Sequence, residues 1–354
     1  MKRAIAIADR IALPAMWLVA MLHLLFLASL LAIMGVAPAS SQPACAGADL
    51  FTELKRSDPV KLAAIEAKAA KTPNGDAILW RIERDGKAPS WLFGTIHVSD
   101  PRVTALNAEA RKAFDGAERL VIETTDVLDE ARLMGQLAKR PDLMMFTDSQ
   151  TLADLVSGDD AEILAKGLEQ RGIPISSVAK MKPWMLMAAI TLPACETARR
   201  ASGLKMLDAA LAADAAALGK DVAGLETGIE QMEAMASLPM DFHIQGLVDT
   251  LKLGARSDDL VETMISIYLQ GRTNLFWPLF EATLGQDGQL GEGYAAFEKT
   301  IVLERNKTMV KRAEPLLAKG GTFLAVGAMH LPGQEGIVEL LRARGYRVTP
   351  VLAT

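Results

Sequence analysis

Histidine and cysteine are scarce in this 354-residue chain, with four His and two Cys. Zinc ribbons, iron–sulfur clusters and multi-bridge disulfide frameworks need more ligands or thiols than this, and are excluded. Basic residues are not in excess. Lys plus Arg total 38 against 43 Asp plus Glu, a net charge of −5. That balance offers no basic surface for a nucleic-acid partner. Aromatic residues make up only 5%, but a 50% hydrophobic content supplies core for one large domain or two ordinary ones. No stretch beyond residue 40 reads as a membrane span.

What is present begins with an export signal. Lys2, Arg3 and Arg10 precede an apolar run over residues 11–36, closed by Ala37-Pro38-Ala39-Ser40. Positive charge, apolar run and small residues follow in the order of a secretory signal. Residues 1–39 are therefore expected to be a signal peptide or, if uncut, an N-terminal membrane anchor. In either case the rest lies outside the cytoplasm. The expected location is periplasmic or secreted, or else the inner membrane through an uncleaved N-terminal segment. That segment is the one expected membrane contact. In an oxidising compartment Cys45 and Cys195 are expected to form one bridge, closing a loop of about 150 residues.

Residues 40–354 read as an α/β domain, a mixed β-sheet flanked by helices. A polar cap and Pro59 start a helix running to residue 71. Residues 78–83 and 91–93, separated by Asp85-Gly86, read as a β-hairpin. Helix is expected over 101–114 and short strands over 119–123 and 221–225. A strand over 322–326, a helix over 335–344 and a last strand over 346–352 follow. Residues 128–218 are Ala-, Leu- and Met-rich at helical spacing and read as a large helical insertion. The 17 Met are too dispersed for a soft-metal site and read as core filler.

Two segments share one local frame. Leu92-Phe93-Gly94-Thr95-Ile96-His97 and Leu324-Ala325-Val326-Gly327-Ala328-Met329-His330 each give an apolar strand, a Gly, two residues and a His. Residues just past the carboxyl ends of strands in an α/β sheet face the binding crevice. The Gly permits a sharp turn or a close approach to a ligand. Two other strands deliver carboxylates, Glu123 and Glu226. Two His and two Glu at four strand ends suit a single-metal site with a spare carboxylate as base. Arg305 can clamp a carboxylate or oxyanion and Asn306 can orient water; a helix-surface ion pair is the plain alternative. His243, on an expected helix, reads as a partly buried surface histidine.

These motifs resemble the TraB/GumN family, the group that includes the Tiki proteases, and most nearly its exported bacterial branch. The resemblance runs through Ser90–Val98, Val121-Ile122-Glu123, Lys182-Pro183-Trp184, Leu192-Pro193-Ala194-Cys195, Gly224–Thr227 with Glu230-Gln231, Glu304-Arg305-Asn306 and Val326–Gly333. It implies a mixed α/β domain and metalloprotease chemistry, with manganese or cobalt favoured and zinc compatible. His97 and His330 would then be ligands, Glu123 or Glu226 a ligand or base, and Arg305 and Asn306 supports. The expected function is an exported metal-dependent hydrolase acting on a peptide or protein. The alternative is a non-catalytic haem- or ligand-binding envelope protein, because distant relatives of this fold bind haem.

Overall fold

The computed structural model describes residues 45–284 and 292–352, and the expected export segment lies outside them. Strands β1 (Leu79–Glu83), β2 (Ser90–Thr95), β3 (Arg119–Ile122), β4 (Asp221–Gly224), β5 (Thr322–Gly327) and β6 (Arg347–Pro350) form one mixed sheet. Their order across it is β4-β3-β5-β2-β1-β6. The expected hairpin is present, with β1 antiparallel to β2 and Leu79 opposite Phe93. β6 also pairs antiparallel with β1. The other contacts are parallel: β2 with β5, β5 with β3, and β3 with β4. Four strands therefore finish along one edge.

Alternating residues feed two faces, as a sheet covered on both sides requires. Leu79, Phe93, Leu120, Ile122, Phe323 and Ala325 join one core, where Phe114 packs edge-on to Phe323. Trp80, Ile82, Leu92, Val121, Leu324 and Val326 join the other. The helices that matter for the site are α1 (Ala108–Gly116), α2 (Ala194–Ala201), α3 (Leu207–Ala217), α4 (Gly228–Ala236), α5 (Glu304–Leu317) and α6 (Ile337–Arg342). α1 and α3 contribute to the first core, and α5 and α6 to the second. A third cluster, including Leu152, Leu164, Leu168, Leu186, Leu247 and Leu251, holds the helical middle together. Among the described residues of that segment the one extended pairing is an isolated bridge between Met145 and Met181.

One expectation of continuous helix is corrected. Residues 101–114 divide into a single turn, Pro101–Thr104, and α1, because Asn107 takes extended geometry and caps the Ala110 N–H. The start at Pro59 stands, with Asp58 as its cap, but a preceding helix, Leu50–Ser57, ends against that cap. The chain entering α5 is a π-helical turn, Glu298–Leu303. Such wide turns change which residues face the core and recur at functional sites.

Candidate metal and hydrolase site

The shared sheet edge gathers four predicted side chains. Glu123 follows β3 directly, and Glu226 stands two residues past β4. His97 stands two residues past β2, and His330 ends a 3-10 turn, Ala328–His330, after β5. Parallel pairing is what aligns these endings, since it points each strand's carboxyl end the same way.

Each imidazole is held by its Nδ1. His97 Nδ1 donates to Asp208 Oδ2 at 2.8 Å, and Thr95 Oγ1 donates to Asp208 Oδ1 at 2.5 Å. His330 Nδ1 donates to Asn306 Oδ1 at 2.6 Å, while Asn306 Nδ2 donates to the Glu335 carbonyl at 2.9 Å. Both polar ends of Asn306 are thus engaged within the protein. Tying Nδ1 to an acceptor orients each ring so that in its neutral form the lone pair is on Nε2, the arrangement of metal-binding histidines.

The carboxylates share one cation. Arg305 Nη2 donates to Glu123 Oε2 and to Glu226 Oε2, each at 2.7 Å, and its Nε donates to Glu226 at 3.0 Å. Gln231 Nε2 donates to the same two oxygens, at 3.0 Å and 3.3 Å. Glu123 Oε1 instead accepts from the Gly327 N–H at 2.7 Å and lies 3.7 Å from His330 Nε2. All three charged groups are largely buried, so their mutual pairing offsets a desolvation cost that water would otherwise prevent. Arg305 is not the surface ion pair of the plain alternative.

Burial raises the Glu123 carboxyl, but Arg305, the two histidines and the Gly327 N–H outweigh it and hold it at about 2. Desolvation pushes His330 down to about 4, so its ring is neutral at pH 7 and lowers Glu123 little there. His97 moves the other way, up to about 9, chiefly through the Asp208 charge. Its side chain is 59% exposed, so solvent weakens that attraction, although its direction holds. Asp208 therefore favours any positive charge at this ring, a proton or a metal ion.

Gly327 sits at the meeting point. A methyl group added there would lie 3.2 Å from Glu123 Oε1, 3.4 Å from His330 Cδ2 and 3.8 Å from His97 Nε2. The glycine is needed for close approach and not for a left-handed turn, because its φ is −52°. Among the described residues no three His, Cys, Asp or Glu already stand as a formed metal-binding group. Nevertheless two Nδ1-anchored imidazoles and one carboxylate oxygen border a single point. That donor set fits a divalent ion in a site with open coordination positions. His97, Glu123, Asp208 and Arg305 open onto a cleft of about 310 Å³, and His330 is buried and does not line it.

The sequence profile of the TraB/PrgY/gumN family matches residues 78–350. The chain belongs to this family. It is 24% identical to the human protein "Metalloprotease TIKI1" over 77% of this chain and 61% of that protein. The zebrafish (Danio rerio) "Metalloprotease TIKI2" is 23% identical over 77% and 60%. The Nematostella vectensis "Metalloprotease TIKI homolog" is 22% identical over 78% and 67%. The chain spans about three fifths of the length of the first two of these relatives. No solved structure matches it.

Several contributors to the site in this TraB/PrgY/gumN protein escaped the sequence reading. Asp208, in the first turn of α3, looks in sequence like an ordinary acidic residue near a helix N-terminus. Gln231 stood out only through the family resemblance. α2 grips the loop carrying His97. Glu196 accepts from the Ser99 N–H and hydroxyl, and Arg200 Nη2 donates to the His97 carbonyl at 2.7 Å. Next to Glu196, Cys195 is joined to Cys45 in a disulfide. His243 does not line the cleft and, contrary to expectation, is buried.

Proposed function

We propose that the protein is an exported, metal-dependent hydrolase that cleaves peptide bonds. The observation that carries the reading is the meeting of His97, His330 and Glu123 Oε1 around Gly327, with both Nδ1 atoms anchored. His97 and His330 would hold the ion through Nε2, and Glu123 would contribute Oε1. A divalent ion held by these residues would polarise a carbonyl and lower the pKa of water. Manganese or cobalt is the favoured metal by family resemblance, and zinc suits the same donors.

The chain's own residues have separable roles. Asp208 and Asn306 orient the two rings. Arg305 keeps Glu123 ionised and sets positive charge beside the cleft, where it would oppose negative charge developing on a substrate oxygen. Glu226 has both oxygens engaged by Arg305 and does not line the cleft. It is therefore assigned to positioning Arg305 and not to taking a proton from water. Peptide or protein substrates are in keeping with the metalloprotease relatives.

Export rests on the basic-apolar-small order of residues 1–39, and the Cys45–Cys195 bridge is in keeping with it. Among the described residues no helix is long and apolar enough to cross a membrane. Elemental analysis of protein purified from the periplasm, with peptide cleavage assays, tests the reading against His97→Ala and His330→Ala. Wild type should carry near-stoichiometric metal that both variants lose. Equal metal content in all three, with no cleavage by any, would sink it.

A further inference from the structure

The cleft has an apolar side that the proposed chemistry does not use. Met206, Met235, Val127 and Ile301 line it beside His97, Glu123 and Arg305, and all four are half-buried. Helical register places them there. Met235 stands four residues after Gln231 on α4, so both lie on one helix face. Gln231 reaches down to the carboxylates while Met235 stands one turn further along. Ile301 stands four residues before Arg305, whose Nη1 donates to the Ile301 carbonyl at 3.2 Å. Met206 is the N-cap of α3, two residues before Asp208. Val127 lies on the 3-10 turn, Thr125–Leu128, that follows Glu123. The segments that carry Glu123, Asp208, Gln231 and Arg305 thus each supply an apolar residue to the wall.

Resting on the peptidase reading, we infer that this wall is a side-chain subsite for a large, flexible aliphatic residue, Leu or Met, adjoining the scissile bond. The charged groups nearby already have partners within the protein. Arg305 is held between Glu123 and Glu226, and Asp208 between His97 and Thr95. A charged substrate side chain laid on the wall would lose water without gaining a partner. An aliphatic one would bury its own surface and the part of the four half-buried hydrophobes that still meets water. Two of the four are Met, whose unbranched thioethers adapt to different aliphatic shapes. The cleft volume, about 310 Å³, accommodates a side chain of that size.

The test uses the full chain and dye-labelled peptides that differ at one central position, carrying Leu, Met, Ala, Asp or Lys. Affinity is read by fluorescence anisotropy and cleavage by mass spectrometry. Wild type should bind the Leu and Met peptides about 10-fold more tightly than the Ala or Asp peptides. Met235→Ala combined with Met206→Ala should erase most of that ratio. Met235→Lys should turn the preference towards Asp. Absent or equal binding across the panel, or a ratio unchanged in the double variant, would overturn the inference. If binding discriminates as expected but no peptide is cut with manganese, cobalt or zinc added, the hydrolase reading falls and the subsite stands. Cleavage indifferent to the varied residue removes the subsite and leaves the hydrolase.

Discussion

Glu123 Oε1 accepts a 2.7 Å hydrogen bond from the Gly327 N–H, which ties the end of β3 to the end of β5. The bond places a carboxylate oxygen beside one histidine ring while Arg305 holds the other oxygen. Gly327→Ala would put a methyl group 3.2 Å from Glu123 Oε1 and 3.4 Å from the His330 ring. The core around β5 is closely packed, so the site groups must give way. Metal affinity is expected to fall about 10- to 100-fold, the scale on which groups orienting a ligand matter. Titration with cobalt, read by absorbance, checks this, with circular dichroism to show that the fold persists. Unchanged affinity would mean that Gly327 does not shape the site.

Arg305 is the shared cation of two buried carboxylates. Arg305→Met leaves them facing each other without it. Breaking such a buried arrangement on one side costs about 3–5 kcal/mol. Urea unfolding should show a loss of that order, and Arg305→Met combined with Glu226→Gln should recover part of it. A loss below about 1 kcal/mol, the scale of an exposed pair, would contradict the burial of the cluster.

His243 supplies a pH-dependent term of its own. Burial lowers its pKa below the ordinary 6.5. On acidification the unfolded chain takes up this proton first. The contribution to stability is therefore complete above about pH 6.5 and is lost as pH falls through the lowered folded value. His243→Leu should flatten the stability curve between pH 7.5 and 5 relative to wild type. Comparing the two by urea midpoint isolates His243 from His330, which is lowered as well. Parallel curves would show that His243 does not titrate differently on unfolding.

The bridge between Cys45 and Cys195 closes 150 residues of sequence. By the chain-entropy estimate its removal costs on the order of 4–5 kcal/mol, with measured losses often smaller. Cys45→Ala combined with Cys195→Ala should lower the urea midpoint accordingly. Because α2 also grips the His97 loop, cobalt affinity should fall in the same variant. Alkylation of two free thiols in native wild-type protein before any reduction would show that the bridge is not formed.

Much of the architecture is written locally. Apolar runs mark β2, β3 and β5 and apolar–polar alternation marks β1, each to within a few residues. For β4, on the sheet edge, a short apolar segment before Glu226 was enough. The four candidate ligands and carboxylates stand out because each lies within three residues of a strand's carboxyl end. Helix ends were less legible. The division at Asn107 depends on a side chain capping the next turn, a choice that helical spacing alone does not reveal.

By itself, the amino-acid order determined the alternation of strand and helix, the two glycine–histidine turns and the expectation of a single bridge. Those follow from periodicity, from the backbone freedom of glycine and from the cysteine count. Tertiary structure alone decided that four strand ends share an edge, that Asp208 and Asn306 hold the two rings, and that Arg305 sits between Glu123 and Glu226. The reason is physical. Asp208 lies 111 residues from His97, and Arg305 lies 182 from Glu123. Only parallel strand pairing and packing of helices on the sheet bring such pairs within hydrogen-bond reach.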